Sequence, residues 1–314
     1  MTIHWSTLIL RVVGFVGIGF VYATATLDAW LGSQHRATIA ERIQPWTKRN
    51  PWFAALITLG SSSPAGLTSG LAPEVAKSVS YSSTRGQVNA LLATPSTQPP
   101  WSGVVVVHDI LGMACDVEAY ADRFAREGYL ALAPDLYTDG GFLRCVWATF
   151  QSYRRRSGRA FDDIDAARAW LAGRQDCNRK IAIIGFCLGG GFALLMAAGR
   201  QFQVSAVNYG EVPADAKQVF KGACPIVASY GARDPYNKGE DLTRLRAALA
   251  AAGVANDFPE PYPGSGHSFM NDYGPLNRYG PLAAVIRVIG FGYDPSASQH
   301  AWRRILAFFD RYLR

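Results

Sequence analysis

A Gly-x-Cys-x-Gly motif at residues 185–189 constrains the fold of this chain more than any other segment. An apolar run at 180–184 precedes it and predicts a buried strand, and an Ala/Leu/Met segment at 192–200 follows it and predicts a helix. A strand, a tight turn with small residues and a helix make up a nucleophile elbow. The central residue is Cys187, so the sequence predicts an enzyme that attacks with sulfur rather than oxygen.

Short apolar segments alternate with amphipathic segments along the rest of the chain. Strands are predicted at residues 79–83, 87–93, 103–108, 129–133, 180–184, 204–209, 225–230 and 257–262, and helices at 116–127, 161–172, 192–200, 242–252 and 299–313. Strands that alternate with helices predict an α/β fold, with a mostly parallel sheet and helices on both faces. Such sheets bind ligands at the carboxyl ends of their strands, so the catalytic residues are expected in the loops there.

The composition is that of a globular protein with a sizeable core, because 49% of the 314 residues are hydrophobic. The formal net charge is +7, but the basic residues form only short runs, such as those at 48–49, 154–156 and 303–304. No nucleic-acid-binding motif accompanies them, so a nucleic-acid partner is not expected. A mildly basic surface suits an anionic substrate and a membrane face equally well.

The cysteines do not follow a metal-binding or disulfide pattern. There are five of them, at positions 115, 145, 177, 187 and 224, widely spaced and without a Cys-x-x-Cys pair. We therefore expect neither a zinc site nor a disulfide framework, and the sequence implies no metal or organic cofactor. Free thiols favour a reducing compartment.

Residues 1–33 form a hydrophobic N-terminal segment that predicts a membrane anchor. No charged residue lies between Arg11 and Asp28, and a helix needs about 20 apolar residues to cross a bilayer core. Basic residues follow at 36–49, so by the positive-inside rule the bulk of the chain would face the cytoplasm. Two alternatives remain open: a signal peptide cleaved near residues 23–25, which would export the protein, and a helix packed on the protein itself.

Residues 34–75 are predicted to be a helical and linker region, because the stretch at 61–71 is rich in Ser, Gly and Pro. The catalytic domain is therefore expected to cover residues 76–314. Within it, the segment at 274–295 is unusually apolar. That segment predicts either a helix packed in the core or a lid or membrane-dipping element over the site.

A cysteine nucleophile needs a base for its proton, and the base needs a carboxylate to orient it. His267 is the candidate base, because it lies in a glycine-rich loop directly after the last predicted strand. Asp234 is the candidate acid, because it follows the strand predicted at 225–230. The chain order of cysteine, aspartate and histidine is that of the α/β-hydrolase fold. The structural alternatives are a solvated loop histidine and a turn aspartate before Pro235.

The loop at 108–112, directly after the valine-rich strand, supplies the remaining candidates. A backbone N–H of this loop and the N–H that follows the nucleophile form the oxyanion hole of such folds. The two donors would be Ile110 and Leu188. Asp109 carries a charge at a strand end and is therefore expected near the site, with simple solvation of the loop as the alternative.

Several motifs occur together and in a specific order. They are His-Asp-Ile-Leu-Gly at 108–112, Glu-Gly-Tyr at 127–129, Ala-Pro-Asp-Leu-Tyr at 133–137, Gly-Phe-Cys-Leu-Gly-Gly at 185–190, Asp234, and Gly-His-Ser-Phe at 266–269. From about residue 78 to the carboxyl end, the chain resembles the dienelactone hydrolase family of α/β-hydrolases. The resemblance implies the α/β-hydrolase fold and a Cys187–His267–Asp234 triad. It also implies an oxyanion hole formed by the N–H groups of Ile110 and Leu188.

The resemblance assigns a role to Asp109 as well. The type member of the family carries Glu there, and that carboxylate holds the resting thiol until substrate displaces it, so Asp109 would be the thiol-activating carboxylate. The type member also has an Arg four residues after the catalytic histidine that grips the substrate carboxylate, whereas this chain has Asn271. This departure argues against a small anionic dienelactone as the substrate, and the basic run at 154–156 is a candidate replacement charge.

These observations predict a hydrolase of an ester, lactone or thioester that works through a cysteine nucleophile and an acyl-enzyme intermediate. Its partner would be a small-molecule substrate, and the N-terminal segment would associate with a membrane. One alternative is a membrane-tethered binding or scaffold protein that kept the fold without activity. Another is a different cysteine-dependent amidase or acyltransferase. A glutamine-amidotransferase-like enzyme would need a His-x-Glu pattern, which does not follow His267.

Overall fold

The computed structural model describes residues 76–84, 86–140, 142–199, 201–272 and 288–314. The N-terminal segment at 1–33, with its candidate membrane span at 11–30, and the linker at 34–75 lie outside the described residues and stay predictions. Most of the apolar segment at 274–295 lies outside them too. Within the described ranges, no helix combines the length and the apolar character that crossing a membrane requires.

Strands and helices alternate along the described chain. In order they are β1 (Lys77–Ser83), β2 (Gly86–Ala93), β3 (Trp101–Val107), α1 (Cys115–Arg126), β4 (Tyr129–Pro134), α2 (Phe142–Arg155), α3 (Arg159–Ala172), β5 (Cys177–Phe186), α4 (Leu188–Ala197), β6 (Val204–Asn208), α5 (Ala216–Val219), β7 (Ile226–Ser229), α6 (Gly239–Ala251), β8 (Asn256–Asp257) and α7 (Pro295–Leu313). This order confirms the predicted α/β class.

All of these strands join one sheet in the order β1-β2-β4-β3-β5-β6-β7-β8. β1 and β2 form an antiparallel hairpin at one edge, and β2 also runs antiparallel to β4. The remaining neighbours, from β4 and β3 through to β8, are parallel. Parallel strands that are joined by helical crossovers present their carboxyl ends at the same edge of the sheet. The loops after β3, β5 and β7 therefore converge, as a site at this edge requires.

Helices cover the middle of the sheet on both faces. Phe186 of β5 stacks on Tyr120 of α1, with ring centroids 4.2 Å apart. Ile181 lies five residues earlier in β5 and therefore points to the opposite face, because successive strand residues alternate. There it shares the space over Gly103 with Leu171 of α3. This burial on both faces explains why β3 and β5 have continuous apolar sequences over residues 103–107 and 181–186.

Helix α2 is an element that the sequence pattern did not predict. Its exposed side includes Trp147, which is 63% exposed, and Phe150, which is 37% exposed. Its buried side includes the polar Ser152. Hydrophobicity and burial therefore do not coincide at every position of this helix.

The last strand is shorter than predicted. The pattern at 257–262 predicted a full edge strand, but β8 contains only Asn256–Asp257, followed by a single bridge between Tyr262 and Gly231. Two prolines, Pro259 and Pro261, interrupt this segment. Proline has no N–H to donate to a neighbouring strand, so the ladder ends before them.

Candidate active site

Cys187 lies on the turn between β5 and α4, as the motif predicts. Its φ of 54° is in the left-handed region, which is strained for a residue with a side chain. A Cβ on Gly189 would overlap the carbonyl oxygens of Val107 and His108. A Cβ on Gly185 would overlap the carbonyl oxygen of Gly189. Only glycine permits these approaches, so the small residues of the elbow place a partly exposed thiol against the end of β3.

His267 and Asp234 meet in the structure. Nδ1 of His267 lies 3.0 Å from Oδ2 of Asp234, and both side chains are buried. Nε2 of His267 is buried without an oxygen or nitrogen partner among the described residues, and the Cys187 thiol lies close enough to act on the imidazole. A carboxylate on one imidazole nitrogen and a thiol near the ring form the geometry that a catalytic triad requires.

The loop after β7 holds Asp234 in place. The backbone N–H of Tyr236 donates to Oδ1 at 2.8 Å, and Nδ2 of Asn237 donates to Oδ2 at 3.1 Å. Nδ2 of Asn237 also lies 3.3 Å from the carbonyl oxygen of Tyr209, which anchors the amide. Burial alone would raise the pKa of Asp234, but His267 and these hydrogen bonds outweigh it, so the pKa is lowered and the acid stays ionised.

The imidazole of His267 is stabilised as a cation. Burial lowers its pKa, whereas the charges of Asp234 and Cys187 raise it more strongly, and the pKa lies well above the ordinary value of a histidine. An imidazole that holds its proton this firmly can take the proton of a neighbouring thiol. The site is therefore suited to an ion pair between Cys187 and His267.

Three aromatic rings surround His267. Tyr209, Tyr236 and Phe291 meet the imidazole edge-on, with ring centroids 5.2, 5.0 and 5.6 Å away. The backbone N–H of His267 donates to the carbonyl of Gly290 at 2.6 Å. The described end of the apolar segment at 274–295 thus packs beside His267. Tyr236 is 46% exposed, so this wall of the site is open to solvent.

The two predicted oxyanion donors lie where the elbow meets the loop after β3. Leu188 is the first residue of α4, so its N–H has no partner within the helix. Ile110 lies in the loop after β3, and its carbonyl accepts a hydrogen bond from the Tyr137 hydroxyl at 3.0 Å. Both donor residues are partly buried. The close packing of Gly189 on the end of β3 brings the two segments together.

Asp109 contacts a second set of buried polar side chains. Its Oδ1 accepts from the backbone N–H of Leu111 at 2.7 Å, and its Oδ2 lies 3.2 Å from Nδ2 of Asn271. Nδ2 of Asn271 also donates to Oδ2 of Asp116 at 2.6 Å. The Tyr209 hydroxyl donates to Oδ1 of Asn271 at 2.5 Å. We call Asp109, Asp116, Asn271 and Tyr209 the acidic cluster.

The acidic cluster lies near the nucleophile. Burial raises the pKa of Tyr137, and the charges of Asp109 and Cys187 raise it further. The same two charges act on Tyr209, together with that of Asp116. Asp109 and Cys187 thus both act on the same two phenols, Tyr137 and Tyr209.

His108, the other histidine at a strand end, has a structural role. Its Nδ1 lies 2.6 Å from the Asp109 carbonyl, and its Nε2 accepts from the backbone N–H of Leu136 at 3.1 Å. Burial lowers its pKa, so the ring is neutral, with the proton on Nδ1. Both nitrogens are used to tie the loop after β3 to the loop after β4, and neither is left for chemistry.

The basic run at 154–156 ends in a surface ion pair. The guanidinium of Arg156 lies 2.7 Å from a carboxylate oxygen of Asp215. Arg154 and Arg155 are exposed in the last turn of α2. In the part of the chain that the structure describes, no group of three or more His, Cys, Asp or Glu side chains is placed to hold a metal ion.

A sequence profile of the dienelactone hydrolase family matches residues 88–313. The chain belongs to this family. A carboxymethylenebutenolidase of Rhodococcus opacus is 28% identical over 225 residues, which are 67% of this chain and 81% of the relative. The chain is accordingly an esterase-type hydrolase that acts on ester or lactone bonds.

Solved structures confirm the α/β-hydrolase fold. A dienelactone hydrolase-like promiscuous phosphotriesterase from metagenomic libraries superimposes with a TM-score of 0.61 at 23% identity, over 76% of this chain and 98% of that one. Esterase 2 of Thermogutta terrifontis superimposes with a TM-score of 0.51 at 15% identity, over 79% of this chain and 97% of that one. Both are similar in fold to this member of the dienelactone hydrolase family.

Four residues of this hydrolase's site were not predicted from the sequence: Asp116, Tyr209, Tyr236 and Asn237. Tyr236 and Asn237 follow Asp234 closely, and an Asp that bonds the backbone two residues later is a common turn. That turn could have indicated their position. Asp116 opens α1, where an acidic residue is ordinary, so no sequence signal marks it as a member of a buried cluster.

Proposed function

We propose that this hydrolase works through a Cys187–His267–Asp234 triad and a thioester acyl-enzyme. The observation that carries the proposal is the 3.0 Å hydrogen bond between His267 and Asp234, with Nε2 of His267 buried on the side of the thiol. The raised pKa of His267 and the lowered pKa of Asp234 both support an ion pair that keeps the imidazole charged. We further propose that the N–H groups of Ile110 and Leu188 form the oxyanion hole.

In the first half-reaction, the Cys187 sulfur attacks the carbonyl carbon and the carbonyl π electrons move to oxygen. The oxyanion collapses, the bond to the leaving oxygen breaks, and His267 gives that oxygen its proton. In the second half, water gives a proton to His267 and attacks the thioester. The carbon–sulfur bond then breaks, which returns the thiolate and releases the acid. Each oxyanion donor contributes about 3–4 kcal/mol in comparable enzymes.

Asp109 is the proposed thiol-activating carboxylate. Its carboxylate is buried and held by Leu111 and Asn271, and its charge acts on the same two phenols as that of Cys187. In this proposal, Asp109 holds the Cys187 thiol until substrate arrives. The contacts of Asp109 with Leu111 and Asn271 support its fixed position.

We infer that the substrate is a neutral ester or lactone. Asn271, at the position where the type member has Arg, is 1% exposed and bound to the two acids of the cluster, so it is not available to bind a substrate carboxylate. The nearby charges of Asp109 and Asp116 would repel an anionic acyl group. The open wall formed by Tyr236 favours an apolar group instead.

The nucleophile is tested by replacing Cys187 with Ala and measuring the hydrolysis of a 4-nitrophenyl ester. Cys187→Ala should abolish turnover, and rapid mixing of the wild type should show a burst of nitrophenol equal to one acyl group per active site. Cys224→Ala is the matched control, because Cys224 is a buried thiol whose pKa burial raises to about 12. Turnover that survives in Cys187→Ala would overturn the proposal.

The substrate inference needs a separate comparison. Two 4-nitrophenyl esters of equal chain length are used, one with a terminal methyl group and one with a terminal carboxylate. We expect kcat/KM to be at least about tenfold lower for the anionic ester, a difference of about 1.4 kcal/mol. Equal or faster hydrolysis of the anionic ester would contradict the inference and leave the triad proposal intact.

A further inference from the structure

The acidic cluster has a feature that the proposed triad does not use. Asp109, Asp116, Asn271 and Tyr209 are at most 4% exposed, yet they include two carboxyl groups. The Asp116 carboxyl has one oxygen, Oδ1, that is buried without a hydrogen-bond partner in the described part of the chain. A buried acid in this state is unusual, since buried carboxylates are normally paired or fully hydrogen-bonded.

Asn271 holds the two acids at a fixed spacing. Its Nδ2 contacts Oδ2 of Asp109 and Oδ2 of Asp116, and its Oδ1 accepts from the Tyr209 hydroxyl. A tyrosine hydroxyl that donates to Oδ1 requires the NH₂ group to face the acids, so only one orientation of the amide satisfies all three contacts. The side chain therefore works as a spacer that couples the position of one carboxyl to the other.

Two ionised carboxyls around one neutral amide would repel each other strongly in this buried site. Besides Asp109 and Asn271, the group that acts directly on the Asp116 carboxyl is Tyr120 on the same helix. Further out, Tyr120 interacts with Asp272 and with the cation Arg123 of α1, and Tyr209, directly after β6, packs on His267. No cation is among the groups that act directly on Asp116 in the described part of the chain. Burial and the charge of Asp109 raise the pKa of Asp116 to about 8, although the hydrogen bonds from Asn271, from the backbone at the start of α1 and from Tyr120 favour the ionised form. One proton within the acid pair removes the repulsion.

We propose that Asp116 is a positioning residue that, as a neutral acid, holds Asp109 in its working orientation through Asn271, and that ionisation of Asp116 releases Asp109. The proposal rests on the proposed function only in giving Asp109 its task at the thiol. Asp116 contacts neither substrate nor thiol in this account, and it acts through Asn271 alone. The consequence is a site that loses efficiency in alkaline solution for a reason separate from the triad.

The first test is the pH profile of kcat/KM for a neutral ester. Asp116→Asn is the informative variant, because an amide has the shape of the protonated acid and cannot ionise. Wild type should show a decline near the pKa of Asp116, and D116N should lack it while keeping kcat/KM below neutrality within about threefold. Asp116→Leu, which cannot accept from Asn271, should lose about tenfold at every pH. A D116N profile that superimposes on that of wild type would overturn the proposal.

The second test does not depend on turnover. Difference infrared spectroscopy of the Cys187→Ala protein should show a carboxylic acid carbonyl band that disappears as pH rises through about 8, and D116N should remove that band. Asp163→Asn is the matched control, because Asp163 is equally buried but lies 3.1 Å from the Arg159 guanidinium. Absence of the band from the Cys187→Ala protein would refute the protonated acid even if the triad proposal holds. A band without turnover by wild type would reject the triad alone.

Discussion

The two polar regions beside Cys187 are equally buried but reach opposite charge states. On one side, Asp234 and His267 form an acid–base pair, which lowers the pKa of the acid and raises that of the base. On the other side, Asp109 and Asp116 share the neutral amide of Asn271, and the pKa of Asp116 is raised. Burial disfavours charge in both places, so the partner decides the outcome.

The difference shows that one fold can keep one buried carboxyl, Asp234, ionised and another, Asp116, neutral. A buried ion pair compensates desolvation through Coulomb attraction, whereas two like groups can do so only by binding a proton. In the proposed mechanism, the triad therefore supplies charge for the reaction. In the acidic cluster, the raised pKa of Asp116 instead keeps one carboxyl protonated. Variants that remove one partner on either side should expose this contrast.

The largest expected effect comes from Asp234→Asn. The amide can no longer stabilise the imidazolium of His267 and can impose the wrong tautomer on the ring, so kcat should fall by about 10³–10⁴-fold. The measurement is steady-state hydrolysis of a neutral ester. Asp241→Asn is the control, because Asp241 lies nearby in an ion pair with Arg244 that is about 30% exposed. A loss below about tenfold would show that Asp234 is not the orienting acid.

The next prediction concerns the effect of Asp116, in the acidic cluster, on the stability of the protein. The pKa of Asp116 is about 8 in the folded state against 3.8 ordinarily, so between these values only the folded state keeps the proton. The free energy of unfolding is therefore unaffected by this group below pH 3.8. It falls by about 1.4 kcal/mol per pH unit as the pH rises from 3.8 toward 8. D116N lacks this loss and should be more stable than wild type at neutral pH by about 2–4 kcal/mol.

Urea denaturation at several pH values measures this difference. Wild type should become less stable as pH rises, and the gap between D116N and wild type should widen up to about pH 8. Most substitutions of a buried polar residue destabilise a protein, so a gain in stability is specific to a strained acid. D116N that is less stable than wild type throughout this range would contradict the charge state assigned to Asp116.

Sequence patterns predicted the fold because this fold has strong local signals. The valine run of β3 and the glycines of the elbow each have one physical explanation, namely burial on both faces and close approach of the backbone. Helix α2 was not predicted, and its exposed Trp147 and Phe150 show that hydrophobicity and burial do not coincide at every position. Pro259 and Pro261 end the β8 ladder, and both are visible in the sequence.

The candidate site also has a part that the sequence predicted and a part that it did not. The placement of Asp234, His267 and Cys187 followed from the order of the loops and from the convergence of parallel strands at one edge. The acidic cluster did not follow, because its members come from the loop after β3, from α1, from the residue directly after β6 and from the histidine loop, and they meet only through tertiary packing. Asn271 was recognised as a departure from the family, but its bonds to two acids depend on spacing that one sequence does not encode locally.

A third prediction breaks the acidic cluster at its other acid. Asp109→Asn removes the charge that raises the pKa of Asp116, so the carboxylic acid band of Asp116 should titrate at lower pH. If Asp109 also acts on the thiol, kcat/KM should fall by about 10- to 100-fold. Asp109→Glu keeps the charge and should leave the titration of Asp116 close to that of wild type. An unshifted band in D109N would show that the two acids are not coupled.

The smallest expected effect concerns Tyr236, which packs on His267 and is not a member of the acidic cluster. Its ring packs on His267 at 5.0 Å and remains 46% exposed, so it can contact the substrate without sharing in the proton chemistry. Tyr236→Phe keeps the ring and should stay within about twofold of wild type, whereas Tyr236→Ala should raise KM for an aryl ester by about three- to tenfold with little change in kcat. A fall in kcat in both variants would mean that the hydroxyl takes part in catalysis. Tyr236 would then be a further titratable group beside Asp234 and His267. The difference in charge between this region and the acidic cluster would then depend on more than the Asp234–His267 ion pair.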